Sequence, residues 1–277
     1  MRYTKMHGAG NSFLLTENLR GELRGENLSV LALRLCKEKG TDGLIVLIPA
    51  EDADFGMLFY NSDGSLGEMC GNGARCVARY GYEHGLAPDP QAIRILATAG
   101  LVTGKRVSRE RYRIRLNDPS VIELHRMAEG EDCAYIELGK PGIPHAVVEV
   151  WAEAFDDLDA LRERGRRLRH SASFPKGANV SFACLEGGNR VRAITFERGV
   201  EDFTLACGTG SGAIAVALSL RGRVSGDAAE IHMPGGTLAV SFTREGERAK
   251  DLLLTGPTAV VEEGEWPMNS EKRIVNS

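Results

Sequence analysis

The stretch Asn61-Ser62-Asp63-Gly64-Ser65-Leu66-Gly67-Glu68-Met69-Cys70-Gly71-Asn72-Gly73-Ala74-Arg75 reads as a strand end, a tight turn and a cysteine opening a helix. Asp63-Gly64 is a turn signal, so a strand closes at Asn61 and the chain reverses before Cys70. Ala74, Val77, Ala78 and Tyr82 then share one helical face, which predicts a helix over Gly73–His84. The pattern recurs about half a chain later. Cys207-Gly208-Thr209-Gly210-Ser211-Gly212 opens a segment, Gly210–Leu220, with almost no polar face. A helix apolar all round and too short to span a membrane belongs in a core. Asn61 lies nine residues before Cys70, and Arg198 nine before Cys207. Ala9-Gly10-Asn11-Ser12-Phe13 also echoes Ala178-Asn179-Val180-Ser181-Phe182. Together these predict two halves with a shared plan of polar anchor, strand, turn, cysteine and helix.

Alternation and β-branched content predict further strands at Phe55–Asn61, Tyr112–Leu116, Ala134–Leu138, Ala146–Val150, Val191–Phe196, Thr237–Phe242 and Leu252–Thr255. Helices are also expected over Ser29–Lys39 and over the charged run Glu153–Arg169, a solvated face carrying i, i+4 pairs of Asp159 and Glu163 with arginines. The tail from Glu262 onward is polar, and order is expected to fade at its end.

The chain has 277 residues, 43% hydrophobic and 26% charged, with a net charge of −4. These values describe a globular protein with no call for nucleic acid or an anionic membrane as partner. The start, Met1–His7, lacks the apolar core of a signal peptide, and no apolar run approaches a spanning helix, so the expected location is the cytoplasm. Six cysteines, none in zinc-knuckle spacing, read as free thiols in a reducing compartment, with no metal. Cys36, Cys76, Cys133 and Cys184 fit as small buried hydrophobes.

Cys70 and Cys207 differ from those four. A cysteine at a helix N-terminus meets unpaired N–H groups and the positive end of the helix dipole, which are expected to lower its pKa from the usual ~8.5. Two such groups facing one another suit the transfer of a proton from one face of a carbon to the other, as base and acid of a coupled pair. The amides of Gly71-Asn72 and Gly208-Thr209 can hold a carboxylate into which carbanion charge is delocalised. His145 is placed to orient or assist one thiol, or to serve as a structural hydrogen-bonder. Glu197-Arg198 ends a strand as a site pair or a surface ion pair. The glycine runs lack the further residues of a nucleotide site.

The first motif resembles the signature of the diaminopimelate epimerase family. Glu197-Arg198-Gly199 through Ala206-Cys207-Gly208-Thr209-Gly210, Lys5-Met6-His7-Gly8-Ala9-Gly10-Asn11 and Phe174-Pro175-Lys176-Gly177-Ala178-Asn179 are similar to other segments of that family, so the likeness spans Met1 to about Gly256. The resemblance implies a mixed α/β (α+β) fold of two pseudo-symmetric halves, each a mixed sheet or open barrel around a central helix. It places one half at 1–119, completed by 256–277, and the other at 120–255. It implies a cofactor-independent epimerase of L,L- and meso-diaminopimelate in lysine and peptidoglycan synthesis, with a small-molecule partner and room for a homodimer. Cys70 and Cys207 become the bases, and His145 and Glu197 flank the chemistry. Asn11, Asn61, Asn179 and Arg198 surround the substrate, with Arg198 on the distal carboxylate, while Gly71-Asn72 and Gly208-Thr209 hold the reacting carboxylate. Two positions depart from common members: Ile143 in place of Asn, and Gly43 in place of Gln. A racemase of another amino acid, such as histidine, a silent binding protein of the same fold and a zinc-binding module are the competing readings.

Overall fold

The computed structural model describes residues 1–67 and 70–267; residues 268–277 of the expected returning segment lie outside it. The first part of the chain forms β1 (Arg2–Gly8), β2 (Asn11–Glu17), α1 (Leu28–Lys39), β3 (Gly43–Ile48), β4 (Phe55–Asn61), β5 (Leu66–Gly67), α2 (Gly71–Glu83), β6 (Ile93–Ala97), β7 (Gly100–Arg106) and β8 (Arg111–Arg115). The second forms β9 (Pro119–Ala128), β10 (Glu131–Leu138), β11 (Ile143–Glu149), α3 (Leu158–Arg169), β12 (Asn179–Gly187), β13 (Arg190–Phe196), β14 (Phe203–Thr204), α4 (Gly208–Leu220), β15 (Ala228–Met233), β16 (Gly236–Glu245) and β17 (Arg248–Pro257). A last strand, β18 (Ala259–Glu265), returns to pair with β1.

The strand pairings repeat. From β1 the ladder runs to β2 antiparallel, β3 parallel, β4 antiparallel, β6 parallel, then β7 and β8 antiparallel. From β10 it runs through β11, β12, β13, β15, β16 and β17 with the same sequence of directions. β17 also pairs antiparallel with β8, so the two ladders join at their last strands. The expected mixed α/β fold of two pseudo-symmetric halves is what the chain adopts.

Each ladder curls around one helix. α2 packs on β1, β2, β6, β7, β8 and β17, and α4 packs on β9–β12 and β15–β17. Ile214, Val216 and Leu218 of α4 are fully or almost fully buried, each contributing about 2 kcal/mol by leaving water. Both central helices start two residues earlier than the sequence predicts, because Cys70 and Cys207 are the capping residues and the glycines behind them are already helical. On the outer faces, α1 covers Leu14, Leu44 and Val46, and α3 covers Phe182 and Phe196. Asn27 caps α1 by accepting from the Ser29 and Val30 amides.

The helix predicted over Glu153–Arg169 is interrupted. A 3-10 turn (Ala152–Asp156) ends at Asp157, whose carboxylate caps α3 through the Ala160 amide at 2.9 Å. The acid–arginine pairs on α3 are i, i+3, Asp159 with Arg162 and Glu163 with Arg166, instead of i, i+4. Among the described residues, no helix is long and apolar enough to cross a membrane.

Candidate active site

Cys70 and Cys207 cap α2 and α4 with nearly the same extended backbone, φ −127°, ψ 114° and φ −113°, ψ 110°. The two helix starts abut: a Cβ added to Gly208 would lie 3.7 Å from the Gly71 Cα and 3.7 Å from the Asn72 Oδ1. The Asn72 side chain is buried and crosses the junction, its Nδ2 donating to the Ala206 carbonyl at 2.9 Å and reaching the Asn11 Oδ1 at 3.4 Å. The Cys70 Sγ donates to the same Asn11 oxygen at 3.6 Å. The Cys207 Sγ accepts from the Gly210 amide at 3.3 Å and lies 3.7 Å from the Thr209 Oγ1. Glu197 bears on both thiols, repelling negative charge on Cys207 and on Cys70.

A second group adjoins the first through Glu197-Arg198. Asn179 donates to the Pro144 carbonyl at 3.2 Å and accepts from the Arg198 amide at 2.8 Å. The exposed Arg198 guanidinium donates to the Lys176 carbonyl at 3.0 Å. His145 pairs with Asn179 across β11 and β12 and is fully buried, with no hydrogen-bond partner on either ring nitrogen among the described residues. Asn61 stays within its own turn, donating to the Ser65 Oγ at 2.9 Å, and lies opposite Gly43. A cavity of about 290 Å³ between the halves is lined by Thr98, Ala99, Asn117, Leu138, Ile143 and Thr209, so its wall reaches the Cys207 thiol. Among the described residues, no three His, Cys, Asp or Glu side chains are grouped to hold a metal ion.

The sequence matches the family model described as diaminopimelate epimerase over residues 3–115 and 139–261. A diaminopimelate epimerase of Methanothrix thermoacetophila is 37% identical over 278 residues, 94% of each chain. One of Carboxydothermus hydrogenoformans is 33% identical, covering 96% of this chain and 99% of that relative. The chain belongs to the diaminopimelate epimerase family. It is an isomerase, and the two-cysteine motifs fall within the matched segments. Solved structures share the fold at low identity. A probable proline racemase from Agrobacterium radiobacter superposes with a TM-score of 0.70 at 17% identity, covering 98% of this chain and 94% of that one. A phenazine-biosynthesis protein from Bacillus anthracis gives 0.73 at 14%, covering 97% and 99%.

The electrostatics of this epimerase-family site differ from the sequence expectation. Burial pushes the Cys70 thiol up to about 11, and Glu197 adds to the rise. The Gly73 and Asn72 amides and the Arg75 guanidinium oppose it, facing the sulfur without closing a capping hydrogen bond. Burial and then Glu197 raise Cys207 well above its usual range, against the Gly210 amide and Thr209. The helix N-termini do favour each thiolate, but desolvation outweighs them. Glu197 is itself raised by burial, while Thr204 holds its Oε1 with a 2.6 Å hydrogen bond. Burial, and then Arg198, push His145 down to about 3, so its ring is neutral.

The sequence reading passed over three supports. Asp42 Oδ2 accepts from the Asn11 Nδ2, the Ser12 amide and the Ser12 hydroxyl, fixing the side chain that touches Cys70. Met233 Sδ accepts the Cys207 amide at 3.3 Å. Lys176, whose carbonyl holds Arg198, is anchored on the buried Glu137 at 3.0 Å. Lys176 stood in a segment quoted for its family likeness, without a role, and Asp42 could have been found as a turn residue between a helix and an apolar run.

Proposed function

We propose that this protein interconverts L,L- and meso-diaminopimelate by a two-base mechanism, in the route to lysine and peptidoglycan. The relatives' names support the substrate. The observation that carries the mechanism is the pair of matching cysteine caps on abutting helices, with Glu197 bearing on both thiols. One sulfur, as thiolate, takes the α-hydrogen; the other, as thiol, delivers a proton to the opposite face. The α-carbon is inverted and the two sulfurs have exchanged protonation states. The charge left on carbon passes into the α-carboxylate, held by the amides of Gly71-Asn72 and Gly208-Thr209. Asn11, Asn61, Asn179 and Arg198 take the remaining polar groups, Arg198 the distal carboxylate, while neutral His145 and Glu197 flank the reacting centre.

The halves, 1–119 with the returning segment from 256 and 120–255, act as the jaws that exclude water. The six free thiols fit a reducing cytoplasm.

One feature favours a related reading. Ile143 is an apolar wall of the cavity beside Thr209, which suits a racemase of an amino acid with a less polar distal group. The deciding experiment incubates the purified protein with diaminopimelate, histidine or lysine in D₂O, without added cofactor, and follows α-deuteration by NMR. Exchange with diaminopimelate in the wild type, and loss of L,L/meso interconversion in both Cys70→Ala and Cys207→Ala, are expected. Interconversion at the wild-type rate in either variant would sink the two-base mechanism, and exchange with histidine alone would replace the substrate.

A further inference from the structure

Arg75 is the largest fully buried side chain among the described residues. It lies on the second turn of α2 and folds back toward the helix start, as helical side chains do. Its Nη1 donates to the Gly71 carbonyl at 3.3 Å and its Nη2 to the Asn72 Oδ1 at 2.9 Å, while its Nε has no partner among the described residues. Among the described residues, no carboxylate forms an ion pair with it. That is unusual, because removing a guanidinium from water is expensive and buried cations are ordinarily paired. Two strands also leave room for it. A Cβ at Gly256 of β17 would fall 2.8 Å from the Arg75 Nε and 2.9 Å from its Cζ, and one at Gly8 of β1 would fall 3.3 Å from its Nη2.

We propose that Arg75 is the fixed counter-charge of the site, a positioning residue that orients the Asn72 amide and supplies the positive potential against which negative charge appears at Cys70 and on a bound carboxylate. By filling the Asn72 Oδ1, the guanidinium turns the Asn72 Nδ2 toward Ala206 and Asn11, across the junction of the halves. The titratable and charged groups around it are Cys70 and Cys76 of α2 and Arg111 at the start of β8. Cys76 is buried and held as a neutral thiol, pushed up to about 12 by burial, and Arg111 is itself a cation. Among the described residues, no resting anion therefore compensates Arg75. Its charge is available to a Cys70 thiolate, and to the substrate carboxylate assigned to the Gly71-Asn72 amides. This inference rests on the two-thiol reading above, but its test requires no substrate.

The test is the rate of Cys70 alkylation by iodoacetamide across neutral to strongly alkaline pH, read at the Cys70 peptide by mass spectrometry. Wild type is compared with Arg75→Gln, Arg75→Met and Arg75→Lys. Gln removes the charge but keeps a hydrogen-bonding amide. Met removes the charge and fills the space with an apolar chain, an exchange that buried ions usually tolerate. In both, half-maximal alkylation should move to higher pH, with rates about tenfold lower at a given pH below the plateau. Lys should stay within about twofold of wild type. A wild-type pH profile in Gln and Met, or an equal shift in Lys, overturns the proposal. So does failure of both neutral variants to fold by circular dichroism, because Arg75 would then serve the fold. Failure of the two-thiol reading is seen separately, as L,L/meso interconversion that survives the cysteine substitutions.

Discussion

The two halves share a strand plan but not a chemistry. In the first, Phe13 pairs with Gly43 and Gly43 with Asn61; in the second, His145 pairs with Asn179, and one step beyond the Val180–Phe196 pair Asn179 faces Glu197. Register therefore matches Phe13 with His145, Gly43 with Asn179 and Asn61 with Glu197, and it sets Asn11 against Ile143. The first half sets Cys70 against the Asn11 amide, to which it donates, with Arg75 buried at the same helix start. The second sets Cys207, which accepts a backbone N–H, beside the carboxylate of Glu197, while His145 faces the neighbouring Arg198. A duplicated scaffold can thus present equivalent thiols while drawing the buried cation from one half and the carboxylate from the other.

The largest expected effect breaks the symmetry outright. Cys70→Ala and Cys207→Ala should each lower L,L/meso interconversion at least about 10³-fold; a mild loss in one alone would mean that the thiols are not partners. Arg198→Ala should raise KM about 10- to 100-fold with little change in kcat, since it removes a charge-assisted contact to substrate and leaves the thiols in place. Unchanged steady-state kinetics would remove its role. Glu197→Gln should cost about tenfold in turnover. Its pH effect has a definite sign: without the carboxylate each thiolate is less disfavoured, so alkylation of both cysteines should begin at lower pH. The shift should be larger for Cys207, where Glu197 is the strongest influence after burial. Equal shifts in both would mean that the charge is shared evenly.

Ile143→Asn makes the second half resemble the first and should change the preference between diaminopimelate and histidine a few-fold, measured by competition. Cys36→Ala, in a thiol buried under α1, should leave exchange within about twofold of wild type, and a larger loss would mark a path from α1 to the site.

The central helices and their cysteine caps are legible in sequence because each carries a local signature: a glycine-flanked thiol, and in α4 an unbroken apolar run. Much of the sheet is not. β3, Gly-Leu-Ile-Val-Leu-Ile, is covered on both faces and shows no alternation, while β18 is mostly exposed and charged. The echo between Ala9–Phe13 and Ala178–Phe182 joins β2 to β12, which occupy different places in the repeat; the counterpart of β2 is β11. The matched nine-residue offsets err by one position, because register sets Asn61 against Glu197 instead of Arg198. The thiol pKa values were read with the wrong sign for a physical reason. Sequence displays the helix end that favours a thiolate, but the burial that opposes it comes from strands far away along the chain.

His145 carries a consequence for acid solutions. The unfolded ring binds a proton near its ordinary value of ~6.5, whereas the folded ring resists protonation until about pH 3. The native state therefore loses ground to the unfolded chain as the medium is acidified between those limits, and regains it on neutralisation. A histidine buried in its neutral form thus also sets an acid limit on the stability of the fold.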